Sequence, residues 1–410
     1  MTTTAMPTPK RLCAARAAAA AALAATLLAT SDPAAAADCG GMTACGCGDI
    51  VTADRILTAD DPVTNGACAG TALEVSAGIS LNLGGRTITC APGGIGVGLT
   101  AASGLFGPGT ITQCSRAVVG YTSQHGITVA DVTAVSNTGN AFDFVSNDNT
   151  FLRNTAISNG GDGIFLVGSG NTVISNVLKE NHRGAFIGGF GRSDNVVRRN
   201  RVASNTGAGL EIHNDVVSTT GENVAKNRIK GASDGVTPGI GLAVFAAGAP
   251  VAGNVIHGNS VRSYATGIAV DGTGLKISSN KAQDGSVGFV IDSESSDVLD
   301  NRAVGNQTGF DVAGDENRFE NNVAKKQTGS GFDVTGSANT FLDDRAIKNG
   351  QVGFVLADVE PGDGNTLTDT RAKRNATCQY QIGDNNIDGG GNRANKSTIS
   401  FGAGGGDFCP

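Results

Sequence analysis

The sequence predicts an all-β fold: one right-handed parallel β-helix, a single-chain solenoid with disulfide-stapled end caps. Three observations predict it. A segment of alternating apolar and polar residues recurs along the chain at intervals of 21–27 residues. Asparagine returns at the same seat of nearly every copy. Glycine supplies 61 of the 410 residues while aromatics are 5% and tryptophan is absent, a composition that suits many tight turns around a small-residue core. About 22 residues accommodate three short strands with sharp turns between them, which is one rung of a β-helix. The hand follows from the right-handed crossover of parallel strands.

Each copy opens with a small residue and an alternating strand, as in Gly163-Ile164-Phe165-Leu166-Val167, Gly209-Leu210-Glu211-Ile212-His213 and Gly331-Phe332-Asp333-Val334. A second alternating stretch ends in the asparagine column. Its seats read Asn154, Asn176, Asn200, Asn227, Asn254, Asn280, Asn301 and Asn322, then Asp344 and Thr370. Asparagine tolerates left-handed backbone and stacks into amide ladders, so the column predicts a turn repeated rung on rung. Apolar residues three before the column (Val173, Val197, Val251, Phe319) and two after it (Leu178, Val202, Ile256, Ala282) predict strands with one buried face. A leucine-rich repeat is excluded, because its Leu-x-x-Leu-x-Leu spacing and any helical periodicity are missing.

Residues 1–37 read as a secretory signal: Lys10, Arg11 and Arg16, an apolar run from Ala17 to Ala29, and the small residues Ala35-Ala36-Ala37. Residues 38–90 are expected to form an N-terminal cap and first rungs, 91–377 the β-helix of about 22–27-residue rungs, and 378–410 a C-terminal cap. No later stretch reaches the length of a membrane span. Loss of the signal moves the formal charge from −7 to −9. An acidic chain poor in aromatics is not expected to bind nucleic acid. Eight cysteines remain, an even number, and in an exported chain these read as disulfides. Cys90 and Cys114 lie one rung apart, so strand spacing predicts Cys90–Cys114. Cys47–Cys68 and Cys39–Cys45 are expected at one end and Cys378–Cys409 at the other. Secretion or a periplasmic location follows, with a monomer as the expected state.

The asparagine-rich repeat resembles the right-handed β-helix repeats of NosD-like proteins and of many polysaccharide lyases, hydrolases and epimerases. The run Cys47-Gly48-Asp49-Ile50-Val51-Thr52-Ala53-Asp54, with Ile79-Ser80-Leu81-Asn82-Leu83-Gly84-Gly85-Arg86, resembles the opening of exported proteins of this type. The resemblance implies the fold and leaves the activity open. Arg228-Ile229-Lys230 matches a short polygalacturonase motif, but that family's paired aspartates and Gly-His-Gly segment do not accompany it. Asp343-Asp344 falls in another column. The four histidines are scattered singly, so no copper-ligand cluster is visible.

Two groups of outward residues are candidate sites. Asp271 and Asp292, then Asp311 and Asp333, occupy outward seats of the opening strand on four successive rungs. Stacked carboxylates about 5 Å apart raise one another's pKa or recruit a cation, most plausibly Ca²⁺. The Asp292–Asp311 diagonal, about 8 Å, suits a pair of catalytic carboxylates. Glu211 and His213 place an acid and a base on one face, with Arg198, Arg199 and Arg201 near in sequence, the elements of a lyase site. The plainer reading of both groups is a solvated acidic face. A basic column, Arg201, Arg228, Lys281, Arg302, Arg345 and Arg371, adjoins the asparagines and reads as a wall salt-bridged to Asp300, Asp343 and Asp369. The functional expectation is a carbohydrate-associated exported protein that binds, or cleaves, a polysaccharide without a required cofactor. The alternatives are a non-enzymatic structural or surface protein and a metal-handling periplasmic protein. Only three tyrosines speak for sugar stacking.

Overall fold

The computed structural model describes residues 37–189, 194–214, 223–232, 235, 237–246, 254–360, 363–395, 397–399 and 406–408. It is an all-β parallel solenoid whose chain climbs one strand spacing per turn. Three ladders run its length. The first is a 17-stranded sheet that includes Ile164–Val167, Leu210–Asn214, Val287–Glu294 and Phe332–Val334. The second holds Thr150–Leu152, Thr172–Ile174 and Val196–Arg198, and the third Thr155–Ile157, Val177–Lys179 and Arg201–Ala203. Near the N-terminal end, Gly104–Thr112 and Thr128–Val135 are long enough to serve the second and third ladders at once. Parallel pairing ends at the C-terminal side, where Gly406–Phe408 and Ser397–Thr398 add antiparallel to Tyr380–Ile382 and Arg393–Ala394.

Alternation decides what is buried. In Ile164–Val167 the first and third residues point inward and the others outward. Successive rungs put like residues in one seat, so the core is built of stacked columns. Phe289, Phe310, Phe332, Phe354 and Tyr380 form one such column, with ring centroids 4.7, 4.7, 4.6 and 5.2 Å apart and nearly parallel planes. The glycine that opens each first-ladder strand is a packing requirement: a Cβ on Gly309 would lie 2.3 Å from the Gly331 carbonyl oxygen.

The asparagines close the turns. Asn200 Oδ1 accepts the backbone N–H of Asn176 at 2.9 Å and its amide at 3.1 Å. Its own Nδ2 donates to the Val173 carbonyl at 2.9 Å and to Asn227 Oδ1 at 3.0 Å. The same pattern recurs in two further columns, one through Asn149, Asn171 and Asn195 and one through Asn137, Asn159 and Asn181. The left-handed residue is not the asparagine but the one before it: Arg153, Ser175, Arg199 and Lys226 have φ of 56°, 60°, 57° and 57°. The asparagine is therefore selected for its amide.

One seat of the column differs from the sequence reading. Asn227 bonds to Asn259, 32 residues on, and Asn259 to Asn280 after 21. Asn254 sits one turn earlier, ahead of the second-ladder strand Val255–His257. Ile256 accordingly belongs to that strand and Val261 follows the column, while Val251 lies outside the described residues. The lengthened rung and the five-residue repeat of asparagine within it conceal the register from a column count.

The disulfides Cys39–Cys45, Cys47–Cys68 and Cys90–Cys114 are present, with Cα–Cα distances of 5.1, 5.3 and 4.7 Å. Cys378 is also disulfide-bonded, and its expected partner Cys409 lies outside the described residues.

Two outcomes follow for the column. Asn200→Leu removes four hydrogen bonds inside the solenoid and should cost at least about 3 kcal/mol, read by denaturant titration. Asp344 holds an asparagine seat, fully buried, with Oδ2 lacking a hydrogen-bond partner. Burial pushes its pKa well up, which favours the neutral acid in the native state. A raised folded pKa gives stability that is complete below the unfolded value of about 3.9 and lost as pH rises through the folded value. Asp344→Asn should therefore raise the melting temperature at pH 7 and abolish that pH dependence; equal melting curves for both proteins at pH 7 would contradict it.

Candidate functional site

The outer face of the first ladder collects chemistry from separate rungs. Register sets Phe165 beside Phe186 and Phe186 beside Glu211. Two residues along, Gly188, His213, Phe245, Asp271 and Asp292 share one row. Phe165 and Phe186 are stacked at 5.4 Å, Phe186 lies 5.3 Å from the His213 ring, and His213 lies 5.0 Å from Phe245. Gly188 leaves room for this strip, since a Cβ there would come within 3.1 Å of the Phe186 ring. All four rings are half-buried.

An ion network borders the strip. Arg183 donates from Nε and Nη2 to the two oxygens of Asp162 at 2.9 and 2.7 Å, and from Nη1 to Glu211 at 3.1 Å. Its guanidinium stands 4.6 Å from the Phe186 ring centre, within cation–π range. His213 Nε2 donates to the other Glu211 oxygen at 2.9 Å. Burial pushes the Glu211 carboxyl up, but the His213 hydrogen bond and the Arg183 charge outweigh it and hold the pKa at about 2. These partners favour the ionised form of Glu211, which is hydrogen-bonded to the imidazole. The two residues of the sequence-predicted pair are thus brought together, joined by this hydrogen bond. Arg198 lies on the second ladder and Arg201 on the third, with Arg199 in the turn between them, so none joins this face. Arg183 is the arginine that meets Glu211.

The aspartates continue the face. Asp271 is paired with Asp292 and Asp311 with Asp333 on adjacent strands. Burial first, then the charges of Asp333 and Asp292, push the Asp311 pKa up, and burial raises Asp333. Among the described residues no group of three or more His, Cys, Asp or Glu is arranged to hold a metal ion.

Sequence reasoning missed Phe165, Phe186 and Phe245 because it counted only tyrosines as stacking residues and assigned phenylalanine to the core. The signal was present: Phe165 occupies the same outward seat as Glu211 in the aligned opening strands.

Replacing Arg183 by Met should remove the charge that holds Glu211 ionised, and the Glu211 titration followed by NMR should move up from about 2; a pKa that stays there would show that His213 alone sets it.

A model of a right-handed β-helix region matches residues 116–282, and one of the periplasmic copper-binding protein NosD matches 225–392. No curated protein sequence matches the chain. Among solved structures, the periplasmic alginate epimerase AlgG is 13% identical at a TM-score of 0.48, covering 85% of this chain and 84% of that one. The catalytic domain of a GH87 α-1,3-glucanase with tetrasaccharides is 12% identical at 0.43, covering 86% and 69%. The A-module of the Azotobacter vinelandii mannuronan C-5 epimerase AlgE6 is 12% identical at 0.34, covering 85% and 89%. The described residues do not fit a copper site: His213 is on the first ladder, His182 precedes its strand Ala185–Gly189, His257 is on the second, His125 precedes the strand Thr128–Val135, and every described cysteine is oxidised. With its three parallel ladders and these two matches, the chain is a right-handed parallel β-helix repeat protein.

Proposed function

We propose that this is an exported, carbohydrate-associated β-helix that holds a polysaccharide along the outer face of its first ladder. The observation that carries the reading is the half-buried strip Phe165–Phe186–His213–Phe245 beside the Asp162–Arg183–Glu211 network. A sugar ring presents an apolar C–H surface with a rim of hydroxyls. The strip offers apolar contact for the first, and preoriented charged groups offer hydrogen bonds to the second. The repeats are also longest here, with spacings of 27 and 32 residues against 21 in the next three, and insertions in solenoids concentrate on binding faces. Export to the periplasm or medium accords with the signal-like residues 1–37 and with the disulfides.

Binding is favoured over cleavage, because the strip supplies an extended apolar platform and the charged groups beside it are already engaged with one another. Asp311, shifted upward and next to Asp292 and Asp333, is the residue pushed in the direction a general acid needs. A structural role is the second reading, favoured by the uninterrupted ring column from Phe289 to Tyr380.

The test is a glycan panel read by calorimetry with the mature protein. Phe186→Ala combined with Phe245→Ala should weaken the retained glycan at least about tenfold, the loss of two ring contacts, while the melting temperature changes little. Retention of full affinity by the double variant, or no retained glycan at all, rejects the reading.

A further inference from the structure

The charges of this molecule are segregated by ladder. On the third ladder, the outward strand seats from Val177 to Arg393 hold no carboxylate. They hold Arg201, Arg228, Lys281, Arg302, Arg345 and Arg371 in one row, interrupted by Ser260 and Val323, and lysines and an arginine in the row beside it, where Lys179 pairs with Glu180 and Arg262 with Asp284. All six in the row lean to solvent, five of them exposed. The second ladder mixes signs instead, with Asp297 and Arg318 paired across it at 3.7 Å. The expected salt-bridged wall is not formed. No ion pair joins Arg302, Arg345 or Arg371 to Asp300, Asp343 or Asp369, which stand at left-handed turn positions with φ of 57°, 56° and 52°.

Direct register makes the row repulsive. Arg201 lies opposite Arg228, Lys281 opposite Arg302, and Arg345 opposite Arg371. Like charges directly opposite on adjacent strands are destabilising, and an acidic chain has carboxylates to spare for relieving them. Adjacent seats of the row lie one strand spacing apart, roughly 4.8 Å, in the pairs Arg201–Arg228, Lys281–Arg302 and Arg345–Arg371. We propose that this face binds a linear polyanion: an acidic polysaccharide with one carboxylate per sugar, lying along the solenoid axis. No aromatic residue occupies an outward strand seat of this ladder between Val177 and Arg393, so it offers neither base stacking for a nucleic acid nor an anchor for a lipid surface. This surface is separate from the aromatic strip of the first ladder.

The test uses the mature protein and polygalacturonate, read by calorimetry at about 50 and about 300 mM NaCl, a range that spans strong and weak screening. Binding should be present at low salt and fall at least tenfold at high salt. The combined substitutions Arg302→Gln, Arg345→Gln and Arg371→Gln should lower affinity at least tenfold with an unchanged or higher melting temperature. Lys276→Gln, on the second ladder, should leave affinity intact. Loss of polygalacturonate binding in the phenylalanine variant but not in the arginine variant would overturn the proposal and place the polyanion on the first ladder. Equal affinity for single-stranded DNA or for anionic lipid vesicles would overturn its choice of partner, and salt-sensitive self-association abolished by the arginine substitutions would assign the face to a second copy of the chain.

Discussion

Every part of this molecule depends on the buried amide of an asparagine at the turn. A solenoid must bend its chain sharply three times per rung, and each bend turns backbone N–H groups inward, where no water meets them. The asparagine oxygen accepts the N–H of the rung below, and its nitrogen donates to a carbonyl of that rung. Both groups are satisfied in one residue, and because each amide also bonds the next, the column transmits register along the axis. A side-chain amide, with a donor and an acceptor together, does this: asparagine at most seats and Gln327 at one. Asp344 shows the consequence of losing the donor: one oxygen remains unpartnered and the carboxyl is driven toward its neutral form.

Once register is fixed, surface chemistry follows from it. Residues some twenty to thirty positions apart become neighbours in a row. Asp162, Arg183 and Glu211 come from three successive rungs, yet they form one continuous network. The same constraint that gathers an aromatic strip on the first ladder also gathers like charges. Asp311 beside Asp333, and Arg345 beside Arg371, are placed together by the repeat and not by mutual attraction. Where a strand's own residues do not relieve such contacts, the free energy is available to a ligand of opposite sign.

Glu211 illustrates how context assigns a role. In the sequence it is an acid two residues from a base, which suggests proton transfer between them. In the fold it is held by Arg183 as well as His213, which favour its ionised form and hold its carboxyl at about 2. Together Arg183, Glu211 and His213 make a preoriented polar rim beside the apolar strip.

The sequence by itself determined the solenoid, its hand, the inward columns and the pairing of Cys39 with Cys45, Cys47 with Cys68 and Cys90 with Cys114. These are legible because strand alternation and rung length are local and repeated, so each copy corroborates the last. It also placed Asp271, Asp292, Asp311 and Asp333 on the outward seats. Register through the lengthened rung was not legible: Asn254 and Asn259 are equally plausible until the hydrogen bonds choose Asn259, because residues inserted between strands leave the pattern of the strands unchanged. Nor was the site. Which outward phenylalanines share a strip, that Arg183 and not Arg198 or Arg201 meets Glu211, and that Arg302, Arg345 and Arg371 lack their expected partners are decisions of tertiary structure. They depend on distances between rungs and on which of three faces a turn directs a side chain toward, and neither is a local property of the chain.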